Sequence, residues 1–444
     1  MAKKFKVLAV AILVLFGAHG AFAQEEEGGF DFGLSIGIGA ETYDGKMWQT
    51  LKLSPDIAIG KFGIGLELTL NYTFEPAEVR SEDWMPRGDD GFLDVYLPKF
   101  KYIRYGFKAD PLFAQFGSIE YALLGNGFIM GGYDNTVFLP FYQDRQALGL
   151  SFDLDGALFN FPYVGIETFV GNLAQFDVLG SRLYVRPLAF TDVPIIKGLQ
   201  VGGTLAVDRK PKLYAVDELL GLPTPDDSVD PVVLYGADLT LPILTGSTFS
   251  FSTFADIAFL HDTLGPGNKG KGEMVGFGGR LMRVISYGAQ IRVLGEDFIP
   301  TYFDTGYDLY REEKYNHVIA EDIESYLGWL GSLGFSFLDD ALVFKATVDG
   351  PIGDLDTDSY LDYPHLYAVF ILGQGIIPNI SLEAQFDKRS LFDSGVRFDR
   401  DAVIAARVNY SIGAAVLSFV YQRSIDRYGN GDSKSGIGSS IQLF

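Results

Sequence analysis

Cysteine is absent from all 444 residues. That excludes disulfides, thiol nucleophiles and the acylated cysteine of a lipoprotein, and it suits, without requiring, an oxidising envelope compartment. Histidine is scarce, with four in the chain. His261, His317 and His365 are scattered at loop edges, with no Gly-x-Ser-x-Gly nucleophile motif near them, so no enzyme activity is expected. Basic charge is in deficit: 35 Lys and Arg against 57 Asp and Glu leave a formal charge of -22, which excludes nucleic acid as a partner. Long apolar runs are missing too. A helical span needs about 18 such residues in a row, and the nearest approach beyond the N-terminal region, Tyr326–Leu338, is short and broken by glycine and serine. Yet hydrophobic residues make up 48% of the chain, aromatics 14%, and glycines number 53. A chain apolar enough for a membrane, but never in helical blocks, is expected to cross it as a β-barrel.

The first residues fit export. Lys3, Lys4 and Lys6 precede an apolar run, Val7–Gly17, and Ala21-Phe22-Ala23 is a small-x-small cleavage signal. Residues 1–23 are therefore expected to be a cleaved secretory signal peptide, and 24–444 the mature domain. Only Gln24–Gly29 separates the cleavage site from the first predicted strand, so any obstruction of the lumen is expected to come from loops and not from an N-terminal plug domain. No cofactor is implied.

From Phe32 onward the chain alternates. In Phe62–Phe74, Leu66, Leu68, Leu70, Tyr72 and Phe74 share one face, while Glu67, Thr69, Asn71 and Thr73 share the other. Ala402–Tyr410 and Ala415–Arg423 repeat the pattern. Period two means strands with one apolar and one polar face. Connections alternate in length as well. Gly60-Lys61, Gly106–Pro111, Asp155-Gly156, Thr245–Ser247, Asp339-Asp340 and Ile412-Gly413 are short, and most of those between them are long and polar, the longest being Glu296–Glu324. Short turns on one rim and long loops on the other mark a transmembrane barrel. The expected fold is all-β: a single transmembrane antiparallel up-and-down β-barrel of about 16–20 strands, best counted as 20 or 18. An interior that wide cannot be filled by side chains, so the apolar face meets lipid and the polar face lines water.

The last strand reads Gly436–Phe444. Gly438, Ile441 and Leu443, with a closing aromatic at Phe444, resemble the terminal strand of bacterial outer-membrane β-barrel proteins, though Gly436 stands where a polar residue is usual and Phe444 lies one place beyond the register of Leu443. The resemblance implies residence in the outer membrane, contact with its lipid, and recognition of this strand by the barrel assembly machinery. It also implies that Gly438, Ile441, Leu443 and Phe444 serve closure and assembly by pairing with the first strand. At the level of architecture the chain is porin-like, with no specific subfamily marked. A porin-like barrel is expected to pass small hydrophilic solutes, and a homo-oligomer is possible in such a family.

Three constellations bear on function. Tyr121–Gln143, the third long loop, carries Leu124, Asn126, Phe128, Met130, Tyr133 and Asp134. Porins commonly fold this loop inward as a constriction; a strand extension or a cover over neighbouring loops is the alternative. Alternation places Lys52, Glu67, Glu167, Arg182, Arg186, Asp238, Asp256, Arg280, Arg292, Lys345, Glu383 and Arg407 on the lumen face, where opposed charges would set a transverse field or merely solvate the wall and pair. Asp354, Asp356 and Asp358 could offer oxygens to Ca²⁺, but lack the EF-hand glycine and glutamate, so a solvated acidic loop is the simpler expectation. Besides a diffusion channel, two other functions fit such a barrel. One is a transporter for hydrophobic compounds, although the Asn-Pro-Ala motif of the fatty-acid transporters is not found. The other is a surface adhesin or receptor.

Overall fold

The computed structural model describes residues 30–441 except 44–45, 87–94, 109, 120, 137–146, 218–221, 247, 263–266, 339–340, 354–362, 393–401, 413–414 and 426–430. The proposed signal peptide, the Asp354, Asp356 and Asp358 cluster, Leu443 and Phe444 therefore lie outside the described residues.

Among the described residues, 22 strands hydrogen-bond into one antiparallel sheet. Phe62–Leu66 and Leu68–Phe74 continue one another along Lys46–Ile59, and Ala77–Val79 pairs only with Leu68–Phe74. About twenty positions thus go round the ring, an even number, as antiparallel closure demands. Closure is made where Phe30–Tyr43 meets Gly431–Ile441, with Ile38 opposite Ser439. In the terminal hairpin Gly438 lies opposite Ser418 and Ile441 opposite Ala415. Among the described residues no helix is long and apolar enough to cross a membrane.

Side chains sort as the alternation requires. Leu183, Leu205, Val275, Ile291 and Leu333 stand on the outer face, each about half exposed. Their strand neighbours Arg182, Thr204, Met274 and Arg292 point inward and are buried. A continuous apolar exterior over a polar interior is the inverse of a soluble barrel. Leaving such a band in water would cost about 25 cal/mol per Å², a cost that lipid removes.

Several predicted elements differ. Among residues 95–105 the extended stretch is Phe100–Tyr105, which follows a 3₁₀ turn at Leu97–Lys99. Asp155-Gly156 is not a two-residue turn: the Asp155 carboxylate accepts from the Ala157 N–H at 2.8 Å and caps a 3₁₀ turn, Gly156–Phe159, delaying the next strand to Val164. The Gly/Lys loop His261–Gly272 becomes strand from Asn268. The longest loop, Glu296–Glu324, contains a 14-residue helix, Tyr307–Ala320. Its buried face carries Asp308, Arg311 and Lys314 beside Tyr307, Tyr315 and Val318, so no apolar stripe announced it.

Candidate functional site: an occupied lumen

Infolding starts at Gly117, the end of strand Leu112–Gly117. Its φ is +117°, and a Cβ there would stand 2.4 Å from the Lys101 carbonyl oxygen, so the turn inward requires glycine. Beyond it, Ala122–Leu123 pairs with Gly131–Tyr133 as a small hairpin. Its tip returns along a segment of the longest loop: the Thr301 N–H donates to the Phe128 carbonyl (2.7 Å), the Phe303 N–H to that of Ile129 (3.1 Å), and the Gly131 N–H to that of Phe303 (3.0 Å). The two loops therefore enter the barrel as one unit. Leu124, Phe128, Ile129, Met130, Tyr133, Phe298, Phe303 and Tyr307 form its buried core against the wall. The wall makes room through glycine; at Gly272 a Cβ would lie 2.3 Å from the Phe298 ring.

The predicted constriction-loop residues hold this unit in place. Asn126 donates to the Asp256 carboxylate (2.8 Å) and accepts from the Thr240 hydroxyl (2.8 Å). The Tyr133 hydroxyl donates to Asp308 at 3.1 Å and packs edge-on to Phe169. Leu124, Phe128 and Met130 are buried. Asp134 accepts from the Thr136 N–H and hydroxyl, both at 2.7 Å.

Ten of the twelve predicted wall charges fall into three groups, and the other two, Arg292 and Lys345, line a cavity. Under the loop, Arg182 donates bidentately to Asp238 (2.8 and 2.6 Å) and reaches Glu167 at 3.2 Å, while Asp256 holds Asn126; all four are lumen-facing but covered. At the short-turn rim, Arg186 follows the end of strand Val178–Val185 and pairs with Asp155 at 2.6 Å, and Arg280 lies near the end of strand Asn268–Leu281. On the arc facing the infolded unit, Lys52–Glu67 (2.9 Å) and Arg407–Glu383 (3.7 Å) are exposed pairs, with side chains 40–59% accessible. That is the exposure of a wall facing water.

Between the infolded unit and strands Ile285–Leu294 through Ile380–Lys388 lies a cavity of about 470 Å³. Lys345 and Arg292 line it, together with Thr347, Ser332, Tyr367 and His365. Sequence reasoning did not foresee the centre of its wall. His365 sits between Asp387 (2.9 Å) and Asp349 (3.3 Å), and Asp349 also accepts from Arg292 at 3.1 Å. Among the described residues the other two histidines stay apart, His261 against the Gly267 carbonyl and His317 against Asp322.

The helix Tyr307–Ala320 is bolted to the wall by charge. Arg311 donates to Asp208 through Nε (2.6 Å) and Nη2, and to Asp177 through Nη1 (2.9 Å), while the Tyr307 hydroxyl donates to Asp208 at 2.5 Å. Burial acts to lower the Arg311 pKa, but Asp208 and Asp177 outweigh it and hold the guanidinium charged. Lys314 donates to the Tyr302 carbonyl and the Asp304 carboxylate, both at 2.7 Å. There burial prevails and lowers its pKa, against the pull of Asp304.

A closed antiparallel sheet with an apolar exterior and a polar, partly filled interior is the build of a bacterial outer-membrane β-barrel. No protein-family model matches the chain, and no curated protein does. Among solved structures it is similar to the outer-membrane protein OprD of Pseudomonas aeruginosa, at 10% identity over 96% of this chain and 95% of that one, with a TM-score of 0.34. OccK2 (OpdF) of the same organism, solved with glucuronate, matches at 10% identity over 96% and 100%, with a TM-score of 0.35. Wzi of Escherichia coli, described as a carbohydrate-binding β-barrel in capsule assembly, matches at 11% over 94% and 84%, with a TM-score of 0.34. Likenesses this weak carry no inference about what this lumen admits.

Proposed function

We propose that this chain is an outer-membrane porin through which small hydrophilic solutes diffuse passively, filtered by the infolded unit and by charges on the wall. The supporting observation is the cavity beside that unit, whose polar lining carries both signs: Arg292, Lys314, Lys345 and Arg389 with Asp304, Asp349 and Asp387. Opposed charges across a narrow passage order water and solute dipoles, which filters by charge and size without chemistry or a cofactor. The exposed ion pairs on the facing arc extend the wet surface. A transporter for hydrophobic compounds would need an apolar cavity, whereas this one sets charges of both signs among apolar side chains such as Leu330, Val343 and Val369. Residues 1–23 would direct export, and the terminal strand would be read by the barrel assembly machinery.

Planar-bilayer recording with the purified protein tests the proposal. Stable conductance steps in KCl, reduced by small hydrophilic solutes, are expected. A silent barrel that retains lipid or detergent would instead identify a carrier of apolar ligands, and a silent barrel that binds cells through its loops an adhesin.

A further inference from the structure

The infolded unit is sealed against one arc of the wall. Between its tip and the wall at Asp238 and Asp256 the free space is about 10 Å³, room for one water at most. A gap that small admits no solute, so flow at this point has to go around. On one side is the cavity lined by Lys345. On the other lies a groove of about 360 Å³ along strands Phe100–Tyr105 and Leu112–Gly117. It reaches from Lys108, in the short turn 106–111, to Tyr121, where the chain turns into the lumen, and Tyr121 lines both spaces as the partition between them.

The two sides differ in charge. Lys101, Arg104 and Lys108 line the groove. Carboxylates stand near them too: Asp153, which Lys108 holds at 2.6 Å, Asp56, which accepts from the Tyr102 hydroxyl at 2.8 Å, and Glu167, within the electrostatic reach of Lys108. The cavity lining mixes both signs, with Arg292, Lys314, Lys345 and Arg389 beside Asp304, Asp349 and Asp387, whereas no carboxylate is among the groove's described lining residues. A groove with surplus cations, in a chain of formal charge -22, is a local attractor for anions.

We propose that the infolded unit splits the lumen into two parallel passages, and that the groove along Lys101, Arg104 and Lys108 is a second conducting path, for small anions. The proposal rests on the channel function above. Absence of cysteine makes it testable without background. Gln115→Cys in the groove and Lys345→Cys in the cavity are made singly and together, labelled with a bulky uncharged maleimide, and compared with the same unlabelled variants in single-channel recordings under a KCl gradient. Each single label is expected to remove part of the conductance and the double label nearly all of it. With Lys345→Cys labelled, the remaining current should shift its reversal potential toward anion preference. Should Gln115→Cys fail to assemble, Lys101→Cys replaces it. The second passage is overturned if the groove label leaves conductance unchanged, or if the Lys345→Cys label alone abolishes it. A protein silent before labelling overturns the channel function and this proposal together.

Discussion

Replacing Arg311 with methionine should free the inner helix without unfolding the barrel. The guanidinium is 1% exposed and serves Asp208, Asp177 and Asp308, whose side chains are equally buried. Methionine keeps much of the stem's volume but leaves three carboxylates without their cation. Breaking a buried ion pair from one side costs about 3–5 kcal/mol. At 1.4 kcal/mol per decade, that lowers the ratio of docked to undocked helix by roughly two to three and a half orders of magnitude. Strand ladders do not pass through Arg311, so the folded, heat-modifiable band on a gel should survive. Protease cleavage within 296–324 and single-channel conductance should both rise. A triple variant, Arg311→Met with Asp177→Asn and Asp208→Asn, removes two of the three orphaned charges and should regain part of the protection. If Arg311→Met is as protease-resistant as wild type, with the same conductance, the charge cluster does not hold the helix and the reasoning fails.

Other outcomes follow from the same contacts. Asn126→Ala removes the donor to Asp256 and the acceptor for Thr240, about 1–3 kcal/mol, and should appear as flickering, noisier open-channel current. Gly117→Ala puts a Cβ against the Lys101 backbone at a left-handed φ and should cut folded yield, whereas Gly33→Ala, with nothing nearer than 3.7 Å, should not; equal yields would show that the turn inward does not need glycine. Because the Lys314 pKa is lowered in the docked state, the undocked state binds more protons between that lowered value and the ordinary 10.5. Docking should therefore tighten as pH rises through that window, up to the ionisation of undocked tyrosines near pH 10; proteolysis rates against pH should show the slope in wild type and lose it in Lys314→Met. Deleting 441–444 removes Ile441, which faces Ala415, and should lower outer-membrane yield without changing the ion selectivity of what does assemble.

Period-two alternation is a local property, and it was enough to assign faces. Leu68 and Leu70 against Thr69 and Asn71, or Val408 against Arg407, could be placed outside or inside before any pairing was known. The segregation of short and long connections then made a closed membrane barrel the economical fold, and Phe30–Tyr43 does meet Gly431–Ile441. The approximate strand number was also legible, because each strand carries its own signal.

Occupancy of the lumen was not legible, for two physical reasons. The inner helix buries Asp308, Arg311 and Lys314, whose burial is tolerable only because wall carboxylates and carbonyls await them, so it lacks the apolar stripe that betrays a helix in sequence. And the partners are distant along the chain: Arg311 lies 103 residues from Asp208, and Asn126 lies 130 from Asp256. Alternation assigns Arg182, Asp238 and Asp256 to the inner face, but only closure of the ring decides that they meet a folded loop and not water, while Lys52, Glu67, Glu383 and Arg407 face an open arc.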